Sequence, residues 1–484
     1  MAEVSADPDT AEPVLTASAH PIQACGAWSV AVLADRPSPQ QVTPADLDAV
    51  AARITEDLYR AATAPKDDAS AGYAWWREIF MQYPNSTPAH TNRGKKQPSV
   101  LRDEIAAMLA PALPGRAAAC YRCAFCRQDA HILWSKANLP MFDTHKYINN
   151  LPPGLAGWPV CRPCRVAMWA VLYGAWLEGG HAVVLECSNP DVQRAFTAAN
   201  VKRTAQLHSV DRAKLPAGAP ELVLLRALVR HAQEVPAAAR LISFRSDNQE
   251  PRMSATSASG QVSAFLVLLF SDAAATLGWR TLAASLHRRN AANKTTRAGE
   301  ADLARLLFTT AGPSAALPVK ASLLASHADN VSLRQAQSLH ALAALYAKEL
   351  FMADHASLKP VTELLVAWIT ANDNPRGRYN DFTLSCLDPY KLQRLLNLAE
   401  PESMRRGYGH DLPDLTEAKA ELIQRGQSHT VLRALLLSSV SAELRLRGFG
   451  PKIGAKDDSD QDTPDEAFDA AAGEPDTDDE GDYA

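Results

Sequence analysis

The 484-residue chain is 47% hydrophobic and 21% charged; this excludes a collagen-like or wholly disordered protein and provides for a core spread over two to four domains. Its formal charge of −5 hides an uneven split, because the stretch after Lys456 has no Lys or Arg and thirteen Asp/Glu between Asp457 and Asp482, leaving 49 basic against 41 acidic residues elsewhere, about +8. A basic body attracts phosphate backbones, and the acidic tail is expected to be disordered, either a solubility extension or a nucleic-acid-mimicking brake.

Residues 1–24 carry Glu3, Asp7 and Asp9 and no basic segment followed by an apolar run, so they read as a flexible lead-in and not as a signal peptide. Trp28 to Ala34 alternates enough to predict a strand. Thr43-Pro44 supplies an N-cap and first-turn proline for a helix over Ala45 to Ala62, and Ala64 to Ala71 reads as a linker. Gly72 to Ser99 holds Trp75, Trp76, Phe80 and Tyr83, then a loop with Asn85, Asn92, Arg93, Lys95 and Lys96. Aromatics beside cations and amides suit nucleic acid, and equally suit a core edge and a solvated loop. Helices are expected at Leu101 to Leu109, Trp169 to Leu177 and Glu221 to Gln233, and strands at His181 to Glu186 and Arg240 to Phe244. From Val262 helical periods dominate: Gln261 to Leu286, Glu300 to Phe308, Leu333 to Ala353, Val361 to Thr370, Pro389 to Ala399, and Leu415 to Arg447 broken near Gly426. The apolar runs Val166 to Leu177 and Phe265 to Trp279 are short or interrupted, whereas a membrane span needs about 18 residues. The expected fold class is an α+β N-terminal region, 25–260, with an inserted zinc-binding module at about 117–180, followed by an all-α helical bundle, 261–450, and an acidic disordered tail, 451–484.

Five of the eight cysteines fall within residues 120–164, which predicts metal ligation in a reducing, cytoplasmic setting and not a disulfide framework. Cys123/Cys126 and Cys161/Cys164 form two Cys-x-x-Cys pairs separated by 34 residues. Each pair lets two thiolates face one ion from a tight turn, and two pairs complete a tetrahedral structural Zn2+ site with no open position. Cys120 is an alternative ligand for the first pair. Buried inert thiols and a redox pair are the competing readings. Asp143-x-His145 with Asn149 and Asn150, enclosed by the pairs, is similar to zinc-bearing His-Asn-His nucleases, but Arg165-Val166-Ala167-Met168 stands where their second metal-binding residue would be. A stand-alone nuclease is therefore the alternative reading.

The order Tyr83-Pro84-Asn85-Ser86, Cys-x-x-Cys, Asn149-Asn150, Gly157-Trp158-Pro159-Val160-Cys161-Arg162-Pro163-Cys164 and Phe244-Arg245-Ser246-Asp247-Asn248-Gln249, ahead of a helical C-terminal half, resembles the CXXC-CXXC large-subunit family of type I-B CRISPR Cascade effector complexes over roughly Trp28 to Leu266. The resemblance implies a non-catalytic subunit of an antiviral surveillance complex. Its implied partners are the Cascade backbone subunits, the subunit capping the guide 5′ end, CRISPR RNA, target double-stranded DNA, a small subunit and a helicase-nuclease recruited in trans, without a membrane. Its task would be recognition of the protospacer-adjacent motif and help with duplex opening. In that setting Asn85, Asn92, Lys95, Lys96, Asn149 and Asn150 are candidates for motif inspection. Arg288, Arg289, Lys294 and Arg297, Arg376 and Arg378 beside Tyr379, and Arg405 and Arg406 beside Tyr408 are candidates for tracking a strand.

Overall fold

The computed structural model describes residues 13–67, 70–90, 92–111, 121–141, 156–209, 215, 218–232, 236–246, 251–289, 295–309, 312–328, 330–353, 355–406 and 415–449. Cys120, His145, Asn149, Asn150, Lys294, Tyr408 and the acidic tail lie outside them. The fold is mostly helical, with seventeen α-helices among the described residues, a small sheet region and a cluster of four cysteines. Two compact units divide between Ser257 and Ala258.

The first unit opens with α1 (Pro21–Leu33), α2 (Pro44–Thr63), α3 (Ala71–Gln82) and α4 (Pro98–Leu109). Thr43 caps α2 as the sequence predicts, in a capping box with Asp46. The strand expected at Trp28 to Ala34 is instead the second half of α1. The helix is buried on nearly all sides, including Gln23, Cys25, Gly26, Ser29 and Val30, and carries little helical periodicity to read. Chain from Pro13 onward belongs to the fold, since Leu15 is buried, so the lead-in is shorter than expected. Helix α3, capped by Ser70, replaces the start of the expected aromatic segment and turns its rings inward. Trp75 and Tyr83 are fully buried, Tyr83 stacks on Trp169 with centroids 4.2 Å apart, and its hydroxyl donates to the Met168 carbonyl.

Four short strands follow, β1 (Tyr121–Arg122), β2 (Asp129–Ala130), β3 (Leu133–Trp134) and β4 (Trp158–Pro159), then α5 (Arg162–Gly174). The helix expected over Trp169 to Leu177 thus begins earlier and stops at Gly174. Beyond it lie β5 (Trp176–Glu178) and β6 (His181–Cys187), joined through Gly179 and Gly180. Both glycines have positive φ, 58° and 80°, the geometry a two-residue hairpin turn requires. Helices α6 (Pro190–Ser209) and α7 (Pro220–His231) precede β7 (Ala239–Arg245) and β8 (Arg252–Ala258), which complete a sheet of order β5-β6-β7-β8. Helix α1 lies against α5 at unusually close range: a Cβ on Gly26 would sit 1.8 Å from the Ala167 carbonyl oxygen.

The second unit is helical apart from the hairpin β9 (Arg288–Arg289) and β10 (Thr295–Arg297). The helix expected over Gln261 to Leu286 is two, α8 (Gly260–Ser271) and α9 (Ala273–Leu286), bent by 102°. Asp272 breaks the run because its side chain accepts from the Ala275 amide and caps α9. Then come α10 (Gly299–Leu307), α11 (Ala316–His327), α12 (Leu333–Phe351), α13 (Lys359–Thr370), α14 (Pro375–Ser385), α15 (Pro389–Arg405), α16 (Thr416–Leu422) and α17 (Gln427–Leu446). Gly426, with φ 126°, marks the break the sequence predicts between the last two. Helix α17 is the axis of the unit, burying Val431 through Ser438 continuously. Buried Arg433 and partly buried Arg445 tie it to neighbouring turns by donating to the carbonyls of Leu422, Gln424 and Val331 at 2.7–2.8 Å. No single described helix is long and apolar enough to cross a membrane; the bent α8–α9 pair meets that test jointly, by length and composition.

Candidate metal centre

The first cysteine pair sits in the turn of the β1–β2 hairpin, where Tyr121 pairs Ala130 and Arg122 pairs Asp129. The Arg127 amide donates to the Cys123 carbonyl at 3.1 Å and the Cys123 amide to the Gln128 carbonyl at 2.7 Å, folding the loop so that both thiols share one side. Arg127 has φ 67°, a left-handed conformation uncommon for a residue with a Cβ and here required by the tight turn. The second pair arrives on β4, whose Trp158 and Pro159 pair with Trp134 and Leu133 of β3. Two backbone bonds clamp the halves together, Ala124 N–H to the Pro159 carbonyl and Val160 N–H to the Ile132 carbonyl, both 2.9 Å. Cys161 is the N-cap residue of α5 and Cys164 lies in its first turn. Both sulfurs therefore stand at the positive end of a helix dipole, which favours thiolates.

The four sulfurs all lie within 4.8 Å of one another, and Cys126 Sγ is 3.4 Å from Cys161 Sγ. A tetrahedral zinc tetrathiolate with Zn–S near 2.3 Å has sulfur–sulfur edges of about 3.8 Å, so the donor set fits such an ion with little movement. Cys123, Cys161 and Cys164 are buried and Cys126 is partly exposed. Their ionisation points the same way. Hydrogen bonds from Cys126, Cys161 and Cys164 hold the Cys123 thiol far below its ordinary range. Cys161 and Cys164 are pushed far above theirs, first by the hydrogen bond with Cys123 and then by their other thiol neighbours and burial. The Cys126 thiol is lowered too, the influence of Cys123 being outweighed by Cys161 and Cys164; thiolates thus form first in this pair, and four together require a cation between them. The centre can hold a metal ion, with zinc compatible in both donor type and spacing.

Residues remote in sequence surround it. Gln23 of α1, fully buried, donates from Nε2 to Cys164 Sγ at 3.6 Å and to the Thr16 carbonyl at 2.9 Å, while its Oε1 accepts from the Ser18 amide at 2.7 Å. Gln128 donates to the Pro13 carbonyl at 3.1 Å, and the His20 ring meets Phe125 edge-on at 5.4 Å. Arg165, next to Cys164, is buried and donates to the carbonyls of Met108 and Ala110 at the end of α4. Burial holds its guanidinium down to about 10. None of these partners was visible from spacing, because nothing local to a glutamine or arginine signals a contact across such separations.

The structure brings together the four cysteines singled out by their spacing. The nucleic-acid candidates are dispersed. Asn85 is half-buried in a turn, Asn92 and Lys95 are exposed, and Lys96 pairs with Glu104. Between them Arg93 is buried, with Nε donating to the Ala62 carbonyl at 2.9 Å and its guanidinium 4.0 Å from the Trp76 ring centroid. In the second unit Arg288 is exposed on β9, and Arg289 and Arg297 are described in their backbone only. Arg376 and Arg405 are exposed. Arg378 is held by Glu402 at 3.0 Å and by the Trp368 ring at 4.3 Å, and Arg406 reaches the same Glu402 at 3.5 Å. Tyr379 donates to the Ser326 carbonyl at 2.8 Å, an internal contact. Cys187, Cys25 and Cys386 are free thiols remote from the centre in sequence. No family model, curated protein or solved structure matches the chain.

Proposed function

We propose that this chain is the non-catalytic large subunit of a CRISPR RNA-guided Cascade surveillance complex of type I-B, holding one structural zinc ion. The observation that carries the reading is the four-cysteine centre, in which a hairpin turn and a helix N-terminus bring four sulfurs within 4.8 Å of one another. Four protein ligands leave no coordination position for water or substrate, so zinc here would staple and not catalyse. The staple closes the long excursion between the pairs, which carries Asn149 and Asn150, and in this reading that excursion inspects the protospacer-adjacent motif. Guide pairing supplies the remaining sequence discrimination, and the basic surplus of the body supplies backbone contacts.

The test begins with metal analysis of the purified chain, where one zinc per chain is expected. Binding to duplex DNA is then measured from low to moderate salt, alone and with CRISPR RNA and backbone subunits added. Steep salt dependence, and motif-dependent binding only in the assembly, are the expected results. DNA cleavage in Mg2+ that His145→Ala abolishes would replace this reading by the His-Asn-His nuclease. Affinity indifferent to salt would leave a zinc-stapled scaffold without nucleic acid.

A further inference from the structure

Helix α15 is amphipathic in an unusual way. Leu392, Leu395, Leu396 and Ala399 are buried, and the opposite face leaves Tyr390, Leu398 and Met404 at 75%, 55% and 52% exposure. At 100° per residue these three interleave on one side with exposed Lys391, Arg394 and Arg405. Among the described residues no carboxylate pairs with Arg394 or Arg405, and only Asp388, at the helix start, feels the charge of Lys391. The two acids within the helix are taken up elsewhere, Glu400 by Lys419 and Glu402 by Arg378 and Arg406. Asp388 caps the helix, accepting from the Tyr390 and Lys391 amides at 3.0 Å. Of the other exposed lysines of the unit, Lys348 and Lys359 each have a carboxylate 4.0 Å away, while Lys320 has no ion pair among the described residues but no comparable set of exposed apolar neighbours on its helix face to make a mixed patch with. Cations without an ion-pair partner, Arg394 and Arg405, alternating with large apolar side chains call for an acidic partner that also presents an apolar group.

We propose that the occupant of this face is the chain's own acidic segment, centred on Asp465-Glu466-Ala467-Phe468-Asp469. That pentapeptide sets one aromatic ring among three carboxylates, in a stretch without Lys or Arg, the complement of a face with two arginines, a lysine and exposed Tyr390 and Leu398. Reach is sufficient. The described chain runs to Phe449, and the sixteen residues from there to Asp465 span up to roughly 55 Å at 3.3–3.6 Å each. A compact unit of this length is on the order of 40 Å across. Tethering also places the segment at an effective concentration on the order of millimolar, so contacts individually weak in water suffice to fill the face. Salt releases it, because the charges are exposed and screened. The inference stands independently of the Cascade reading, since it needs only the face and the segment.

The experiment is zero-length carbodiimide coupling of the full chain at low salt, read by peptide mass spectrometry. The expected product joins the Lys391 amine to a carboxylate within 465–469, in the same chain when light and 15N-labelled proteins are mixed. Its yield falls at least about fivefold in moderate salt, in the double variant Arg394→Glu/Arg405→Glu and in Phe468→Ser. Arg394 and Arg405 are exposed, and unchanged melting curves are required of every variant for its loss to count. Equal coupling of the segment to Lys320, Lys348, Lys359 and Lys391 would overturn the proposal. Mixed-isotope products would make a second copy the occupant. Absence of segment coupling, with Lys391 shielded by a single-stranded oligonucleotide, would assign the face to nucleic acid.

Discussion

Gly26→Ala is the most direct probe of how the metal centre is held. In an ordinary helix interior this change stabilises by up to ~1 kcal/mol, because alanine has less backbone entropy to lose. Here the added Cβ would stand 1.8 Å from the Ala167 carbonyl oxygen and 2.5 Å from its carbon, both backbone atoms of α5 that cannot rotate away. The two helices must separate by more than about 1 Å, with overpacking of about 3 kcal/mol or somewhat more. Net of propensity the loss is ~2 kcal/mol, which lowers the melting temperature of a unit this size by roughly 4–8 °C. Gln23 stands one turn earlier on α1 and contacts Cys164, so the displacement also weakens metal retention. Circular dichroism melts and competition with a chromogenic chelator measure the two effects together. Gly94→Ala, where nothing lies within 4 Å of an added Cβ, is the matched control and stays near wild type. A Gly26→Ala protein that melts at or above wild type and holds its metal equally well would refute the packing argument.

Chelation of the metal at neutral pH makes Cys123, Cys126, Cys161 and Cys164 accessible to iodoacetamide within minutes, while fully buried Cys386 of the second unit stays protected; mass spectrometry counts the labels, and unchanged labelling would count against a metal-held centre. Tyr83→Phe keeps the stack on Trp169 and removes the donor to the Met168 carbonyl, an expected loss of about 1 kcal/mol in urea melts, against ~3–5 kcal/mol for Tyr83→Ala. Acid titration reports on Asp46, whose carboxyl is held well below its ordinary range by Arg36 and then by the Thr43 amide and hydroxyl. Because the folded value is depressed, its contribution is complete above the unfolded value near pH 4 and fades as pH falls below it; Asp46→Asn removes that slope in melts between pH 5 and pH 2, and an unaltered slope would contradict the assignment.

Local chemistry was legible in the sequence, and packing across distance was not. Thr43-Pro44 announced α2 because a cap is encoded within four residues, and Gly426 announced a helix break because a positive φ selects glycine. Two Cys-x-x-Cys spacings announced the donor set, since the turn that pairs the thiols is itself local. Helix α1 was mistaken for a strand because a helix buried all round loses the period that identifies it. Helices α3, α6, α11 and α14 went unread for related reasons: aromatic clustering masked the first, and weak apolar periodicity hid the other three. The aromatic residues of α3 invited a stacking role, yet Trp75 and Tyr83 are buried against Tyr173 and Trp169 of α5. Gln23 and Arg165 could be recognised as supports of the centre only once α1, α4 and α5 were in place.

The pairing of α1 with α5 also sets a timetable. Gln23 and Cys164 are 141 positions apart, so at translation rates of about 5–20 residues per second α1 waits roughly 7–28 s for the helix that covers it. During that interval its small-residue face, Cys25, Gly26, Ser29 and Val30, has no partner, and neither cysteine pair can close a tetrahedron alone. Closure of the four-thiol set therefore has to follow the emergence of Cys164, in the first turn of α5.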